Sequence, residues 1–426
     1  MTTALHKIRT ARTSHWAARG GAWLALFLIL AATLLPSRAS KWPFEPFCLH
    51  CLPTALVDAL RNALLFVPLG FFLARSQHSI RRALGLCALL SLAIEIAQWW
   101  IPGRDSQLRD LLSNTFGAGL GAGAAYTLPL WWKPTPRGAT VLLWSYIFAA
   151  VTGFSVSAFL LKPSLTTSAY SASWTPQFGG LDVYAGQLLD ARLGKRPLPN
   201  GPLGDASRAV RLALLGGERL ELSLIAGPSP ENLAPLFTLQ DAEQQEIFFL
   251  AAAGEDLYFS LRTRARAIGL DEPLARLPDA LAGVAPGAPL SLTLTPNAAR
   301  LCLILNNREH CADGKTLGSG WEFLFYPRWV PIRLAALGNG LWLCAFAVPL
   351  GYWLRTRRQA LIAGGLWIAL ATAIPSVFFI APTPLLEIAA PGIGTALGLY
   401  LRRLRLLREK PPSLEEHGEA RNAPLI

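Results

Sequence analysis

The stretch LVDALRNALLFVPLGFFLA, residues 56–74, joins a long apolar run to charged and amide side chains at one end. It approaches the ~20 residues that a helix needs to cross the hydrocarbon core of a bilayer. Seven further apolar runs occupy residues 23–36, 83–101, 111–130, 139–161, 334–353, 360–380 and 385–401. The sequence therefore predicts a polytopic α-helical membrane protein with about eight transmembrane helices.

A polar stretch separates the first five apolar runs from the last three and so divides the chain into parts. We expect a five-helix transmembrane bundle at residues 1–163, an inserted domain at 164–330, a second bundle of three helices at 331–404 and a disordered tail at 405–426. The function must then be sought at a face of the membrane.

Basic residues lie in alternate connections between the apolar runs. The positive-inside rule places such clusters in the cytoplasm. They consist of Lys7, Arg9, Arg12 and Arg19; Arg75, Arg81 and Arg82; Lys133 and Arg137; Arg355, Arg357 and Arg358; and Arg402, Arg403, Arg405, Arg408 and Lys410. Both termini and the tail are therefore predicted to be cytoplasmic, and the inserted domain extracytoplasmic, in a multi-pass protein of a bacterial inner membrane.

The net charge of +12 belongs to these connections and not to the inserted domain. Between Leu165 and Val330 the chain has 14 Lys and Arg against 17 Asp and Glu, so this part is not basic. We therefore expect the lipid bilayer as a partner and no nucleic acid.

The inserted domain contains short alternating or apolar runs divided by Gly, Pro, Asn and Asp. Such spacing is typical of strands in an antiparallel sandwich or jelly roll. The runs lie at residues 208–215, 219–226, 233–241, 245–263, 290–311 and 321–327. The sequence therefore predicts an all-β inserted domain.

The segment CLILNNREHC, residues 302–311, predicts a hairpin with Asn306 and Asn307 as its turn. Counting outward from this turn places Cys302 opposite Cys311 on a close, non-hydrogen-bonded rung, where a disulfide can form. Such a bond fits an oxidising exterior. The alternative is two unpaired thiols that match in register by chance.

The strand order over roughly residues 173–329 resembles the laminin-G-like, concanavalin A-like jelly rolls of bacterial surface proteins. The resemblance implies a two-sheet sandwich that often binds glycans on one face. No Ca²⁺ ligands can be carried over to residues of this chain. The alternative is a spacer or protein-interaction domain.

Polar side chains concentrate in the second, third and fourth apolar runs. Ionisable residues at membrane depth are costly and tend to mark function, although side-chain hydrogen bonds also hold helices together. We predict a pairing of Glu95 or Asp110 with one of the arginines. The candidate site comprises Arg61, Asn62, Glu95, Gln98, Arg104, Arg109, Asp110 and Asn114, and the alternative is a structural lock between three helices.

These runs also resemble the VanZ-like family, named for a membrane protein of glycopeptide-resistance clusters. The resemblance rests on NALLFVPLGFFLA, EIAQ and GRDSQLRDLLSNTFGAGLG, and spans about residues 22–130. The matching residues are Asn62, Phe66, Pro68, Gly70, Glu95, Gln98, Arg104, Asp110, Asn114, Gly117 and Gly121. It implies a link with lowered susceptibility to teicoplanin and supplies no biochemical activity.

The last three apolar runs look like a decayed copy of the second to fourth. A shift of 277 residues aligns Asn62 with Asn339, Asp110 with Glu387 and Gly117 with Gly394. The same shift places Thr372 opposite Glu95 and Pro391 opposite Asn114, so the second copy has lost much of its polar chemistry. We therefore place any site in the first copy; chance similarity between glycine-rich helices is the alternative.

Two classes of function remain open. In the first, the protein is a non-enzymatic envelope factor that holds a lipid-linked, glycan or glycopeptide ligand at the outer face of the membrane. In the second, it is a transporter or membrane enzyme acting on a lipid head group, with Glu95 or Asp110 handling protons. The motif Cys48-Leu49-His50-Cys51 offers at most half a zinc site, and we expect no metal or other cofactor.

Overall fold

The computed structural model describes residues 2–36, 55–76, 79–104, 106–178, 181–295, 300–306, 308–325 and 334–409. The Cys48–Cys51 motif, Asn307 of the predicted turn and the tail beyond residue 409 lie outside these ranges.

The first bundle contains five helices that follow the first five apolar runs. They are α1 (Thr2–Leu34), α2 (Ala55–Arg75), α3 (Ile80–Gln98), α4 (Leu108–Trp132) and α5 (Pro136–Leu160). Side-chain caps begin two of them, because the Ser79 and Thr135 hydroxyls accept the N–H groups of Arg82 and Gly138. The helix starts are therefore set by local polar residues and the helix lengths by the apolar runs.

The inserted domain is a sandwich of two antiparallel sheets. Its elements are β1 (Tyr170–Trp174), β2 (Gln187–Leu193), β3 (Arg196–Pro197), β4 (Gly201–Pro202), α6 (Ser207–Leu215), β5 (Leu220–Ile225), β6 (Ala234–Asp241), β7 (Glu246–Ala253), β8 (Asp256–Leu261), α7 (Arg264–Ala267), β9 (Ala275–Leu277), β10 (Pro289–Thr295), β11 (Arg300–Leu305) and β12 (Arg308–Asp313). The strand orders are β4-β1-β6-β7-β8-β9 and β12-β11-β10-β5-β2-β3. One apolar core, including Phe237, Phe248 and Leu222, fills the space between the sheets.

Two of the predicted strands are wrong. Residues 208–215 lie in helix α6, where Val210, Ala213 and Leu214 have helical spacing and are buried in the sandwich core. The segment 321–327 begins inside a 3-10 helix, Leu317–Phe323, which we call the junction helix. Short apolar runs of this length fit helix and strand equally well, and packing decided between them.

The predicted hairpin is confirmed in register. Leu305 pairs with Arg308, and Cys302 pairs with Cys311. The two cysteines form a disulfide with a Cα–Cα distance of 4.2 Å, as expected for a close rung. Asn306 has a positive φ of 45°, which is the conformation that the turn requires.

The second bundle contains α8 (Ala335–Trp353), α9 (Arg357–Phe378) and α10 (Leu385–Glu409). Helix α10 extends past the predicted boundary at residue 404. The extension is held because Arg405 donates hydrogen bonds to the carbonyl oxygen of Trp132 and to the hydroxyl of Tyr352.

Five helices in the described part of the chain are long and apolar enough to cross a membrane. They cover Trp16–Leu34, Leu56–Arg75, Pro136–Leu160, Ala335–Trp353 and Arg357–Phe378. Helices α3, α4 and α10 have a similar length but carry more polar, glycine or charged residues. The protein is thus a multi-pass membrane protein with a β domain, and eight spans remain a prediction.

Glycines bring two pairs of helices into backbone contact. A Cβ atom on Gly117 or Gly121 of α4 would overlap the carbonyl oxygen of Ala63 or Val67 of α2. Similarly, a Cβ atom on Gly394 or Gly398 of α10 would overlap the carbonyl oxygen of Cys344 or Val348 of α8. Small residues permit such close packing of membrane helices.

These contacts also give the register between the two helix pairs. Gly394 lies 277 residues after Gly117, as the sequence predicted, but Cys344 lies 281 residues after Ala63. The predicted equivalence of Asn62 and Asn339 is therefore one helical turn out, and Asn339 takes the place of Asp58. A common origin of the two pairs stays a proposal.

Candidate functional site

The eight predicted site residues all lie at the end of the first bundle that faces the sandwich. We call them the first-bundle cluster: Arg61 and Asn62 of α2, Glu95 and Gln98 of α3, Arg104 before α4, and Arg109, Asp110 and Asn114 of α4. The close packing of α2 on α4 sets the spacing between these side chains.

Arg61 connects the bundle to the sandwich. Its guanidinium donates to the carboxylate of Asp271 and to the carbonyl oxygen of Leu324, and it lies 3.3 Å from the Asp58 carboxylate. The backbone N–H of Val57 also donates to the Gly269 carbonyl oxygen at 3.0 Å. Arg61 is thus a tether between domains and does not pair with Glu95 or Asp110.

Arg104 closes the end of α1. Its Nη2 and Nε donate to the carbonyl oxygens of Ala32 and Leu35 at 2.7 and 2.9 Å. The last carbonyl groups of a helix lack partners within the helix, so a cation there is stabilising. This residue therefore has a structural role.

Glu95 holds the start of α4 against the end of α3. Its Oε2 accepts the N–H of Gln107 at 2.8 Å, and the Ser106 hydroxyl also hydrogen-bonds it. On the next turn of α3, Gln98 Nε2 donates to the Thr33 carbonyl oxygen at 3.1 Å. Both side chains are buried, each with 7% of its surface exposed.

The centre of the cluster is formed by α4. Arg109 Nε lies 3.5 Å from the Asp110 carboxylate, which is the one predicted acid–arginine pairing that these contacts contain, and Arg109 Nη2 lies 3.8 Å from Asp58. Asn62 hydrogen-bonds Asp110. One turn further along, Asn114 Nδ2 donates to the Ser91 hydroxyl at 2.9 Å.

Many polar atoms of this region are buried without a hydrogen-bond partner. Buried polar groups in proteins are nearly always paired, so each exception needs an explanation. The unpartnered acceptors are Gln98 Oε1, Gln107 Oε1, Asp110 Oδ1 and Asn114 Oδ1, and the unpartnered donors are Arg109 Nε and Nη1. Asn114 and Arg109 are only 2% and 7% exposed. The set can accept several hydrogen bonds from a ligand and donate two.

A second polar cluster joins α8 and α10 to the junction helix. The Glu387 carboxylate accepts hydrogen bonds from Thr316 Oγ1 at 2.7 Å, Asn339 Nδ2 at 2.9 Å and the Gly318 N–H at 2.9 Å. Asn339 Oδ1 in turn accepts from Trp321 Nε1 at 2.6 Å. We call these five residues the second-bundle lock.

Sequence reasoning missed several contributors. Ser91 lies one turn before Glu95 on the same face of α3, and that spacing could have identified it. Asp271 and the Leu324 carbonyl group reach the cluster from the inserted domain, and no local pattern indicates such contacts. The pairing of Glu387 with the junction helix is long-range for the same reason.

The sandwich offers no open site on the middle strands of its first sheet. Thr238, Phe249 and Ser260 form one row on the face away from the core, and all three are buried. The second sheet turns exposed polar residues such as Glu221 and Ser291 outward. Within the described residues, the cluster with metal-ligating side chains is Cys302, Glu309 and Cys311, and its two sulfurs are joined as a disulfide.

The first bundle has a recognisable relative among protein families. Residues 11–131 match the VanZ/LLP1 family model. The match contains all eight residues of the first-bundle cluster and ends before the sandwich, so a VanZ-like domain forms the first part of this chain. No curated protein and no solved structure matches the chain.

Proposed function

We propose that this protein is an envelope factor that binds the head group of a lipid-linked, glycan or glycopeptide ligand in the first-bundle cluster. The observation that carries the proposal is the set of buried, unpartnered polar atoms around Arg109, Asp110 and Asn114. A cluster that served packing alone would gain stability by pairing these atoms or replacing them with apolar groups.

The unpartnered atoms indicate the chemistry of the ligand. Four acceptors and two donors fit a group rich in hydroxyl or ammonium hydrogens that also carries an acceptor oxygen. Sugar hydroxyls and the amines of a glycopeptide have this character. Three carboxylates, Asp58, Glu95 and Asp110, surround the single cation Arg109, which further favours a neutral or cationic group over an anion.

The VanZ-like domain supplies the biological setting of this proposal. It supports a membrane protein of the cell envelope, and we extend this to a contribution to teicoplanin resistance. In this view the ligand approaches from the side of the sandwich, which Arg61 holds next to the cluster through Asp271. We propose that this side is extracytoplasmic.

A second candidate is a transporter or membrane enzyme acting on a lipid head group. The observation that favours it is the electrostatic interaction of Glu95 with Asp110 between α3 and α4. Two carboxylates that interact across such a short distance are suited to sharing or passing a proton.

Thermal unfolding of the purified full-length protein with added teicoplanin tests the proposal. We expect the ligand to raise the melting temperature of the wild type, because binding to the folded state stabilises it. Glu95→Gln should abolish this shift, whereas Thr372→Ala at the aligned position of α9 should keep it. A shift that survives in Glu95→Gln would contradict a role for the cluster in binding.

A further inference from the structure

The far end of the second bundle contains arginines that lack acidic partners. Arg355 lies in the turn between α8 and α9, and Arg402 lies on α10. Arg402 donates to the carbonyl oxygen of Leu354, and Arg355 Nη2 lies 3.4 Å from the carbonyl oxygen of Pro134. In the part of the chain that the structure describes, neither forms an ion pair, and the Nε atoms of both are buried without an acceptor.

These arginines also repel one another. Burial lowers the pKa of Arg355, and the charges of Arg402 and Arg405 lower it further. Cations held together in this way need an anion to offset the repulsion. A phosphate group suits the site, because guanidinium groups match its oxygens in geometry and charge.

Aromatic side chains place the arginines at the level of lipid head groups. Tyr352 stacks on Trp132 with ring centroids 5.0 Å apart, and its hydroxyl donates to the Trp132 carbonyl oxygen at 2.6 Å. Trp353 Nε1 donates to the Trp131 carbonyl oxygen at 2.9 Å. Tryptophan and tyrosine are enriched at the interface between membrane and water.

An apolar cleft begins beside the same arginines. Its volume is about 310 Å³, and it runs between α5, α8, α9 and α10 from Leu354 and Ala360 towards Phe154 and Ile388. It exists because α9 packs on α5 and makes few contacts with α10, unlike α3, which packs along α4. Leu354 belongs to both features, since its side chain lines the cleft and its carbonyl oxygen accepts from Arg402.

We propose that this end of the second bundle binds an anionic phospholipid, with the phosphate at Arg355 and Arg402 and one acyl chain in the cleft. The head-group site and the cleft are independent observations that meet at Leu354, and together they match an amphipathic anion. Basic pockets between membrane helices bind anionic lipids in this manner. This site is distinct from the first-bundle cluster at the opposite end of the protein.

Lipid retention by the full-length protein tests the head-group site. The protein would be reconstituted in nanodiscs of phosphatidylglycerol and phosphatidylcholine, and bound lipid counted by native mass spectrometry after extraction. We expect the wild type to retain phosphatidylglycerol and Arg355→Gln/Arg402→Gln to bind it at least about tenfold more weakly. Arg358→Gln, an exposed arginine on the same surface, is the matched control and should bind as the wild type does.

A second pair of variants tests the cleft. Gly364 lines the cleft and Gly365 does not, and a Cβ atom on either meets open space, so both tolerate a larger side chain. Gly364→Trp should reduce retention of phosphatidylglycerol by about tenfold, while Gly365→Trp should not.

Three outcomes would overturn the proposal. The first is equal retention of phosphatidylglycerol in the double arginine variant and the wild type. The second is binding of inorganic phosphate at the arginines with lipid retention indifferent to Gly364→Trp, which would identify free phosphate as the occupant. The third is lipid binding that requires removal of residues 411–426, which would mean that acidic residues of the tail, Glu415 and Glu416, take the lipid's place.

Discussion

The two bundles share their packing but use their polar residues differently. In both, glycines of one helix lie against carbonyl oxygens of another, in α4 against α2 and in α10 against α8. In both, an acid at the start of the glycine-rich helix hydrogen-bonds an asparagine, Asp110 with Asn62 and Glu387 with Asn339. The difference lies in what surrounds these acids.

The acid of the second bundle is fully committed to the protein. Glu387 accepts hydrogen bonds from three donors, two of which belong to the junction helix. Asn339 lies one turn nearer the start of its helix than Asn62 does, and the longer glutamate side chain reaches it. The acid of the first bundle lies among unpartnered atoms, and its own Oδ1 lacks a donor. Shared packing with unequal hydrogen bonding separates a structural lock from a candidate site.

The largest expected effect concerns the packing that both bundles share. Gly117→Ala and Gly394→Ala should each destabilise the protein by about 3 kcal/mol or more, since the new methyl group overlaps a backbone oxygen that cannot move aside. The measurement is the yield of monodisperse protein and its melting temperature. Gly123→Ala on α4 is the control, because its Cβ meets no atom within 4 Å. Loss in one bundle and not in the other would contradict equivalent packing.

A smaller effect is expected from opening the second-bundle lock. A Cβ atom on Gly318 would press on the Glu387 carboxyl group and on Asn339, so Gly318→Ala should cost about 2 kcal/mol through broken buried hydrogen bonds. Gly320→Ala provides the control, because its nearest neighbour is Ser157 Oγ at an ordinary 3.4 Å. Limited proteolysis at the junction between sandwich and bundle would report the change. Equal protease resistance of the two variants would show that the lock does not hold the junction helix.

The lock should also respond to pH. Burial raises the pKa of Glu322 in the junction helix from 4.5 to about 8, with Lys315 opposing the shift and Glu387 adding to it. The folded protein therefore binds this proton more tightly than the unfolded chain. The stabilisation is complete below the unfolded pKa and is lost as the pH rises through about 8.

We accordingly expect the melting temperature to fall between about pH 6 and about pH 9. Glu322→Gln should flatten this slope, while Glu243→Gln on the exposed surface should leave it unchanged. A slope that is identical in all three proteins would exclude Glu322 as its source.

Local features of this fold could be predicted from the sequence, and long-range ones could not. The pairing of Cys302 with Cys311 followed from counting outward from a two-residue turn, because a tight hairpin fixes its own register. Helix α6 was predicted as a strand because its burial depends on packing against the sandwich core. The one-turn offset between α2 and α8 became visible only through the glycine contacts.

The candidate site shows the same limit. Its residues could be selected because polar side chains are rare in apolar helices, and all of them lie at one end of the bundle. Their individual roles could not be assigned from sequence. Arg61 and Arg104 contact Asp271 and the end of α1, partners that are remote in the chain, and this leaves Arg109 as the arginine at the centre.

The most direct test of the central contrast compares Glu95→Gln with Glu387→Gln. A glutamine at 95 keeps an acceptor for the Gln107 N–H, and the Ser106 hydroxyl can turn to accept its new N–H group. A glutamine at 387 must place an N–H group against a donor, because both carboxylate oxygens already accept hydrogen bonds, one of them from the Gly318 N–H. The measurement is the melting temperature of each purified protein together with the teicoplanin susceptibility of cells that express it. The account predicts that Glu387→Gln lowers the melting temperature, whereas Glu95→Gln melts close to the wild type and loses its effect on susceptibility. Parallel loss of stability and activity in Glu95→Gln would contradict the account and leave the first-bundle cluster as a second lock.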